Sequence, residues 1–415
     1  MAFYTNNIIN SEIQPVSHQK NYRTEFRLEP DNLYLSNLRL INIGVTGKVG
    51  NKLNQLVGAL GVIKSISLLD GNETLDTLNN FNQYAGFRCY NRTNDENISQ
   101  NYRLKKNYMG FINLGSNLDY VGGPAGFVQV GALRNPSELT DNVDTTPTMW
   151  VSLKDYFPFL EGSEYVPTSI YKNFRIVIEY ENDVDNITPE DTDAFETTIP
   201  FLVADMIDND NVKSQILQNY NGVRFSPIEN SRVVLNAIVP TVGNPNPTQS
   251  QTFTINAFND KTIERLLLVK EPVSTSSDTI GRLGSIGQYL ESTQYNINGA
   301  NLLQGAGLTS RNMTLAMLYD LYGDCNNIAP NGYLAESENY ITDLDLVNRL
   351  EYTAVHIGDY VQNFQLQYGR TGQFDAAEAD QSVLPLNQRL NLQLYAEVRK
   401  EISVNSDGSY AIAYV

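Results

Sequence analysis

Apolar residues recurring at every second position are the feature of this chain that most narrows its fold. The sequence closes on "NLQLYAEVRKEISVNSDGSYAIAYV", in which Leu392, Leu394, Ala396, Val398, Ile402, Val404, Tyr410, Ile412 and Tyr414 stay in phase around Asn405-Ser406-Asp407-Gly408. Successive side chains of a strand point to opposite faces, so this spacing predicts half-buried strands with a turn at 405–408. Chain ends fray unless they are tied down, so strands placed here must have a sheet to join.

The same period runs through the chain. In "YKNFRIVIEYEND", Phe174, Ile176, Ile178 and Tyr180 alternate against Arg175, Glu179 and Glu181. Leu33 and Leu35 alternate, Leu38 and Leu40 continue out of phase, and Ile41, Ile43 and Val45 shift the phase back. Two phase shifts predict a turn or bulge near Ser36-Asn37 and a bulge near Leu40-Ile41. Strand patterns also run through Ile66 and Leu68 to a turn at Asp70-Gly71, and through "GFVQVGAL", "SRVVLNAIVPTV", "QTFTINAF" and "YTAVHIGDYVQNFQLQY". Helical spacing is confined to short stretches. Val49, Leu53, Leu56, Val57 and Leu60 form one, "VKSQILQNY" a second, and "NMTLAMLYDLYGDC" a third. The third is expected to bury Met313, Leu315, Ala316, Leu318 and Tyr319, with Gly323 as its cap. Charged residues make up only 18% of the chain, against 25 Tyr and abundant Asn and Thr, which favours strands and turns. The fold class expected is all-β with short helices in loops.

At 415 residues the chain suits two cores better than one. Residues 1–25, polar and broken by Pro15, read as an N-terminal arm on or outside the body. Residues 26–182 read as a first β-domain, the acidic and Thr-rich 183–228 as a linker, and 229–415 as a second β-domain. "SIYKNFRIVIEYEND" and "PLNQRLNLQLYAEVRK" each bring a polar lead-in to a long strand near the end of a half, which points to duplication of one β-domain. The Ser/Gly/Asn/Thr-rich 272–312 and the Gly-rich 107–135 read as excursions of the kind that contact other subunits.

Several chemistries fail on residue identity. "GVTGKVGNK" has Asn42 and Val49 where a phosphate loop needs Gly and Ser or Thr. "GRLGSIG" spaces its glycines by three and follows no clear strand. His18 and His356 are the only histidines and Cys89 and Cys325 the only cysteines, at spacings that suit neither a zinc site nor a nucleophile-base pair. The acidic runs "ENDVDNITPEDTD" and "DMIDNDN" lack the Gly and the final Glu of an EF-hand. No catalytic, metal or cofactor residue is therefore nominated, and Trp150 reads as core within an apolar strand. A net charge of −18, with no basic cluster beyond "YRLKK", argues against direct nucleic-acid contact. No apolar run approaches a membrane span, and the N-terminus lacks the pattern of a signal peptide, so synthesis in a reducing cytoplasm is expected. The Asn-X-Ser/Thr matches at Asn72, Asn91, Asn97, Asn186 and Asn312 then carry no glycosylation signal.

Five stretches resemble a known family. "GVIKSISLLDGNETLDTL" resembles the start of the first barrel in double jelly-roll major capsid proteins. "VSLKDYFPFLEG", "FRIVIEYEND" and "IPFLVADMI" are similar to the end of the first barrel and the linker in such proteins from polinton-like viruses and virophages. "NLQLYAEVRKEISV" is similar to their closing strand. The resemblance implies two tandem eight-stranded jelly-roll sandwiches, a homotrimer of near-hexagonal outline that tiles an icosahedral shell, and location in the virion. Its partners would be neighbouring capsomers, penton and minor capsid proteins, with space for an internal membrane beneath the shell. The chain is shorter than the virophage proteins, so long surface towers are not implied. It further implies that the arm, through Phe3, Tyr4 and Ile13, lies against neighbours, and that the last strands complete the second barrel. The other reading of the residues is a carbohydrate- or receptor-binding β-sandwich, since sugar sites use aromatic platforms and amides. A β-sandwich glycoside hydrolase is the third.

Overall fold

A computed structural model describes residues 8–47, 57–90, 148–182, 195–237, 247–272, 283–285, 291–322, 351–371 and 389–415. Eight strands from Ile228 onward pair as one long hairpin folded back on itself. The first (Ile228–Leu235) pairs with the eighth (Leu390–Val398), and the second (Thr248–Thr254) with the seventh (Phe364–Thr371). The third (Lys261–Pro272) pairs with the sixth (Thr353–Val361), and the fourth (Ser292–Ile297) with the fifth (Ala300–Asn301). Pairing of the eighth with the third, and of the seventh with the fourth, joins these into two four-stranded antiparallel sheets. This winding makes a jelly roll. Leu235, Phe258, Leu266, Leu268, Tyr295, Leu366, Tyr368, Leu392 and Leu394 fill its interior.

The first half repeats the scheme. Arg23–Arg27 pairs with Phe174–Tyr180, that strand pairs with Ile63–Asp70, and Arg39–Gly47 pairs with Thr148–Ser152. These are the first–eighth, eighth–third and second–seventh contacts of the second half. The fold is all-β, two jelly-roll sandwiches in tandem. The fragment "GFVQVGAL" and the rest of 91–147 lie outside the described residues, as do 273–282 and 286–290 of the expected 272–312 excursion, whose later part is instead sheet in Ser292–Ile297 and Ala300–Asn301.

The expected phase shifts have structural counterparts. The strand Leu33–Leu35 ends before Arg39–Gly47 begins, and the register slips between Leu40 and Ile43, where Asn42 takes φ 64°. "VKSQILQNY" falls in the helix Asp210–Asn219, whose Asn209 side chain accepts the backbone N–H groups of Asn211 and Val212. Pro158 occupies the first turn of the helix Pro158–Gly162, where its missing N–H costs nothing. Of the helical spacing at 49–60, residues 48–56 lie outside the described set, and Gly58–Val62 forms a 3-10 turn.

Three expectations are corrected. The described part of the arm, expected on or outside the body, is part of its sheets: Ile8–Ile13 pairs along Phe201–Ile207, and Ser17–Gln19 pairs with Arg23–Arg27. Within the expected 183–228 linker, Phe195–Thr197 and Phe201–Ile207 are likewise sheet, both alongside Arg39–Gly47, while 183–194 lie outside the described residues. Low apolar content misled at the arm, because Ile8–Ile13 and Ser17–Gln19 each pair on one flank only, and an edge strand tolerates polar residues. Ile13 packs on the first core, while Phe3 and Tyr4 lie outside the described residues.

The third correction concerns the helix Arg311–Tyr322. Of the five residues expected to be buried, only Leu318 is; Met313 and Tyr319 are 45% and 57% exposed. The inward stripe runs through Thr314 and Leu318 to Leu321 and Tyr322. Apolar residues on nearly all sides leave the sequence without a decided face, and packing against Thr353–Val361 chooses it. Leu318→Ala is expected to cost about 2–5 kcal/mol in denaturant unfolding, and Tyr319→Ala no more than about 0.5 kcal/mol. Equal costs would contradict this placement of the helix.

Candidate functional site

The distinctive site is the seam where the two barrels meet. Along the third strand of the second barrel, Leu266 and Leu268 face the barrel interior while Leu267 and Val269 join the core of the first half. On the eighth strand Leu392, Leu394 and Ala396 face inward, and Tyr395 faces the seam. Asn391 and Gln393, which by period two belong to a solvent face, are buried as well. A sheet covered on both faces reads as a nearly continuous apolar run, which accounts for "RLLLV" at 265–269.

The helix Phe81–Tyr90 supplies the other side of the seam. Asn80, at φ 50°, precedes it, and its carbonyl accepts the N–H groups of Gln83 and Tyr84 at 3.2 Å. Phe81, Tyr84, Ala85 and Phe87 are buried. The Tyr84 ring lies 5.4 Å from that of Tyr395, and the Phe87 ring 4.9 Å from Tyr322 and 5.4 Å from Tyr352. Such ring pairs contribute about 0.5–1.5 kcal/mol each beyond their burial. Polar groups fix the register: the Tyr395 hydroxyl donates to the Asn80 carbonyl at 3.1 Å, and the Asn80 amide donates to Gln393 Oε1 at 3.3 Å.

The C-terminal hairpin is a clamp across this seam. Lys400–Val404 pairs on one side with Gly222–Phe225 and on the other with Tyr410–Tyr414, making a separate three-stranded sheet. Only Leu390–Val398 closes the second barrel, so the expectation that all the last strands do so is corrected. A side chain at Gly222, which sits at φ 107°, would collide with the Ile402 carbonyl. Tyr410 reaches the first barrel, where its hydroxyl donates to Asp70 Oδ2 at 2.8 Å and its ring lies 5.2 Å from Tyr171. Lys400 Nζ donates to the carbonyls of Thr74 at 3.0 Å and Leu75 at 2.9 Å.

Next to that contact lies a buried acid. Burial raises the Asp76 carboxyl to about 7, more than the Phe159 N–H donated to it at 3.0 Å and the charge of Lys400 offset. Burial in turn lowers the Lys400 ammonium, against the pull of Asp76 and Glu229.

A cleft of about 750 Å³ opens at one end of the seam, lined by Tyr84, Tyr156, Glu161, Arg265, Tyr322 and Glu397 among others. Arg265 Nε donates to Glu397 at 2.7 Å, and its guanidinium lies 4.8 Å from the centre of the Tyr322 ring. His356 borders the cleft on the exposed face of its strand. His18 lies on the other barrel, with Nδ1 2.8 Å from Thr24 Oγ1. Cys325 and the side chains of Cys89 and Trp150 lie outside the described residues. Two acids of the acidic runs serve structure: Asp205 pairs with Arg39 at 3.1 Å, and Glu181 accepts from Asn82 at 3.1 Å. Among the described residues no cluster of three or more His, Cys, Asp or Glu is placed for a metal, and no helix is long and apolar enough to cross a membrane.

No protein-family model matches the chain, and no curated protein matches it by sequence. Solved structures do match its fold. PBCV-1 VP54, fitted into a reconstruction of the virophage Sputnik, superposes with a TM-score of 0.63 at 12% identity, over 99% of this chain and 97% of that one. The chain has the double jelly-roll fold of viral major capsid proteins. The Faustovirus major capsid protein matches at TM-score 0.60 and 8% identity, over 96% of this chain and 90% of that one. The mavirus major capsid protein matches at 0.51 and 9%, over 98% and 90%. The double jelly roll thus spans both halves and the seam between them.

Asp76 sets a pH dependence. An unfolded Asp titrates near about 3.9, so between about pH 4 and 7 the folded chain holds a proton that the unfolded chain has released. The stability from this group is full below the unfolded value and is lost as pH rises through about 7, on the order of 4 kcal/mol in all. Asp76→Asn keeps an acceptor for the Phe159 N–H and is expected to flatten stability against pH across that window, read by urea unfolding. An unchanged slope would contradict the assignment.

Proposed function

We propose that this protein is a major capsid protein that assembles as a homotrimer, presenting six jelly rolls in a near-hexagonal outline that tiles an icosahedral shell. The observation that carries the proposal is the seam: two barrels of the same winding are joined through a shared core, as a building block that offers two sandwich units per chain requires. The likeness to major capsid structures along nearly the whole chain supports it. The units we assign are a first barrel over 8–207, a connecting segment holding the helix Asp210–Asn219, and a second barrel over 228–398 with the terminal hairpin as clamp.

On this reading the protein acts through shape rather than turnover, resides in the virion, and contacts neighbouring capsomers, penton and minor capsid proteins. The acidic charge of −18 suits a shell layer that leaves the genome to other components. Trimer contacts repeat around a closed threefold, so the same patches meet in each pair of subunits. Because Ile8–Ile13 is built into a sheet, deletion of residues 1–20 is expected to destabilise the protomer itself, beyond any effect on assembly.

Light scattering with negative-stain imaging tests the proposal. A particle of three times the 46.5 kDa chain mass with a near-hexagonal outline is expected. A persistent monomer that binds glycans on an array would overturn it in favour of the carbohydrate-binding reading.

A further inference from the structure

Inside the second barrel a lysine is sealed between two glutamates. Lys270, on the third strand, is fully buried, and its Nζ contacts Glu291 Oε1 and lies 3.9 Å from Glu351 Oε1. The Tyr368 hydroxyl donates to the other oxygen of Glu291, Oε2, at 2.8 Å. Ser285 ties the backbones together: its hydroxyl accepts the Lys270 N–H at 2.9 Å and donates to the Glu351 carbonyl at 2.5 Å, and its own carbonyl accepts the Glu351 N–H at 2.6 Å. One amine, one carboxyl, a second carboxylate and a phenol donor therefore converge in a largely buried site.

We propose that Lys270 and Glu291 condense to an intramolecular amide, with Glu351 as proton relay. The Lys270 ammonium first passes a proton to the Glu291 carboxylate, since burial favours the neutral pair over separated charges. The freed Nζ lone pair attacks Glu291 Cδ, forming the C–N bond. The negative charge that develops on Oε2 meets the Tyr368 hydroxyl, as a preorganised donor requires. Glu351 takes a proton from the nitrogen and returns it to the Oε1 hydroxyl; the C–O bond breaks and one water leaves. Atoms balance, and nothing is oxidised or reduced. Groups held in contact reach effective molarities on the order of 10⁵ M or more, so the reaction needs no external activation. Burial also raises the Glu291 carboxyl toward its acid form, against the Lys270 charge beside it. The product would staple the third strand, in one sheet, to the start of the fourth, in the other.

Denaturing mass spectrometry of the full chain reads the bond directly. The protein is expected to be lighter than its Lys270→Arg variant by one water beyond the Lys–Arg difference. A tryptic digest should give a branched peptide joining Lys270 to Glu291, with no cleavage after Lys270. Glu351→Gln is expected to leave Lys270 free. Wild-type protein at full sequence mass with cleavage after Lys270 would overturn the proposal, and complete bond formation in Glu351→Gln would overturn the relay.

Discussion

One sheet of this chain is covered on both faces along its two central strands, Leu390–Val398 and Lys261–Pro272. The strands Ile228–Leu235, Leu390–Val398, Lys261–Pro272 and Thr353–Val361 bury one side in their own barrel and much of the other against the first. A single jelly roll ends at a wet outer surface. Here that surface is replaced by a second hydrophobic layer, so neither half can present its native exterior alone. A seam that leaves Leu267, Val269 and Tyr395 bare would expose an apolar patch of the kind that drives association. The helix Phe81–Tyr90 and the C-terminal hairpin exist, in physical terms, to cover it.

Apolar burial supplies the driving force, but it is indifferent to register. Register comes from the polar groups set into the seam: the Asn80 amide on Gln393, the Tyr395 hydroxyl on Asn80, the Tyr410 hydroxyl on Asp70 and the Lys400 ammonium on two carbonyls. Each would be expensive to leave unpaired in a dry interface, so a shifted docking of the barrels forfeits several at once. The geometry between the barrels is thereby set by the protomer itself. The proposed tiling role calls for that property, because an error in the angle between the two units would accumulate across a facet.

Much of this was legible in the alternation. Phe174–Tyr180, the bulge at Leu40–Ile43 and the helix Asp210–Asn219 follow from apolar phase and capping chemistry, both local. The seam was not legible, and for a common reason. Asn391 and Gln393 obey the pattern of a solvent face yet are buried, because amides can be satisfied by another domain that the strand does not reveal. The helix Phe81–Tyr90 is buried nearly all round, which erases the polar stripe that announces an amphipathic helix. The arm strand Ile8–Ile13 is recognisable only through its partner Phe201–Ile207, nearly two hundred residues away. No His, Cys or metal pattern marked a site, and the polar residues that matter most are amides and tyrosines whose role lies in what they face.

The claim on which the account rests is that the seam makes two barrels one cooperative structure. Differential scanning calorimetry of the full chain tests it most directly. A single unfolding transition whose calorimetric and van't Hoff enthalpies agree is the result the account predicts. Two separable transitions, one for each barrel, would contradict it.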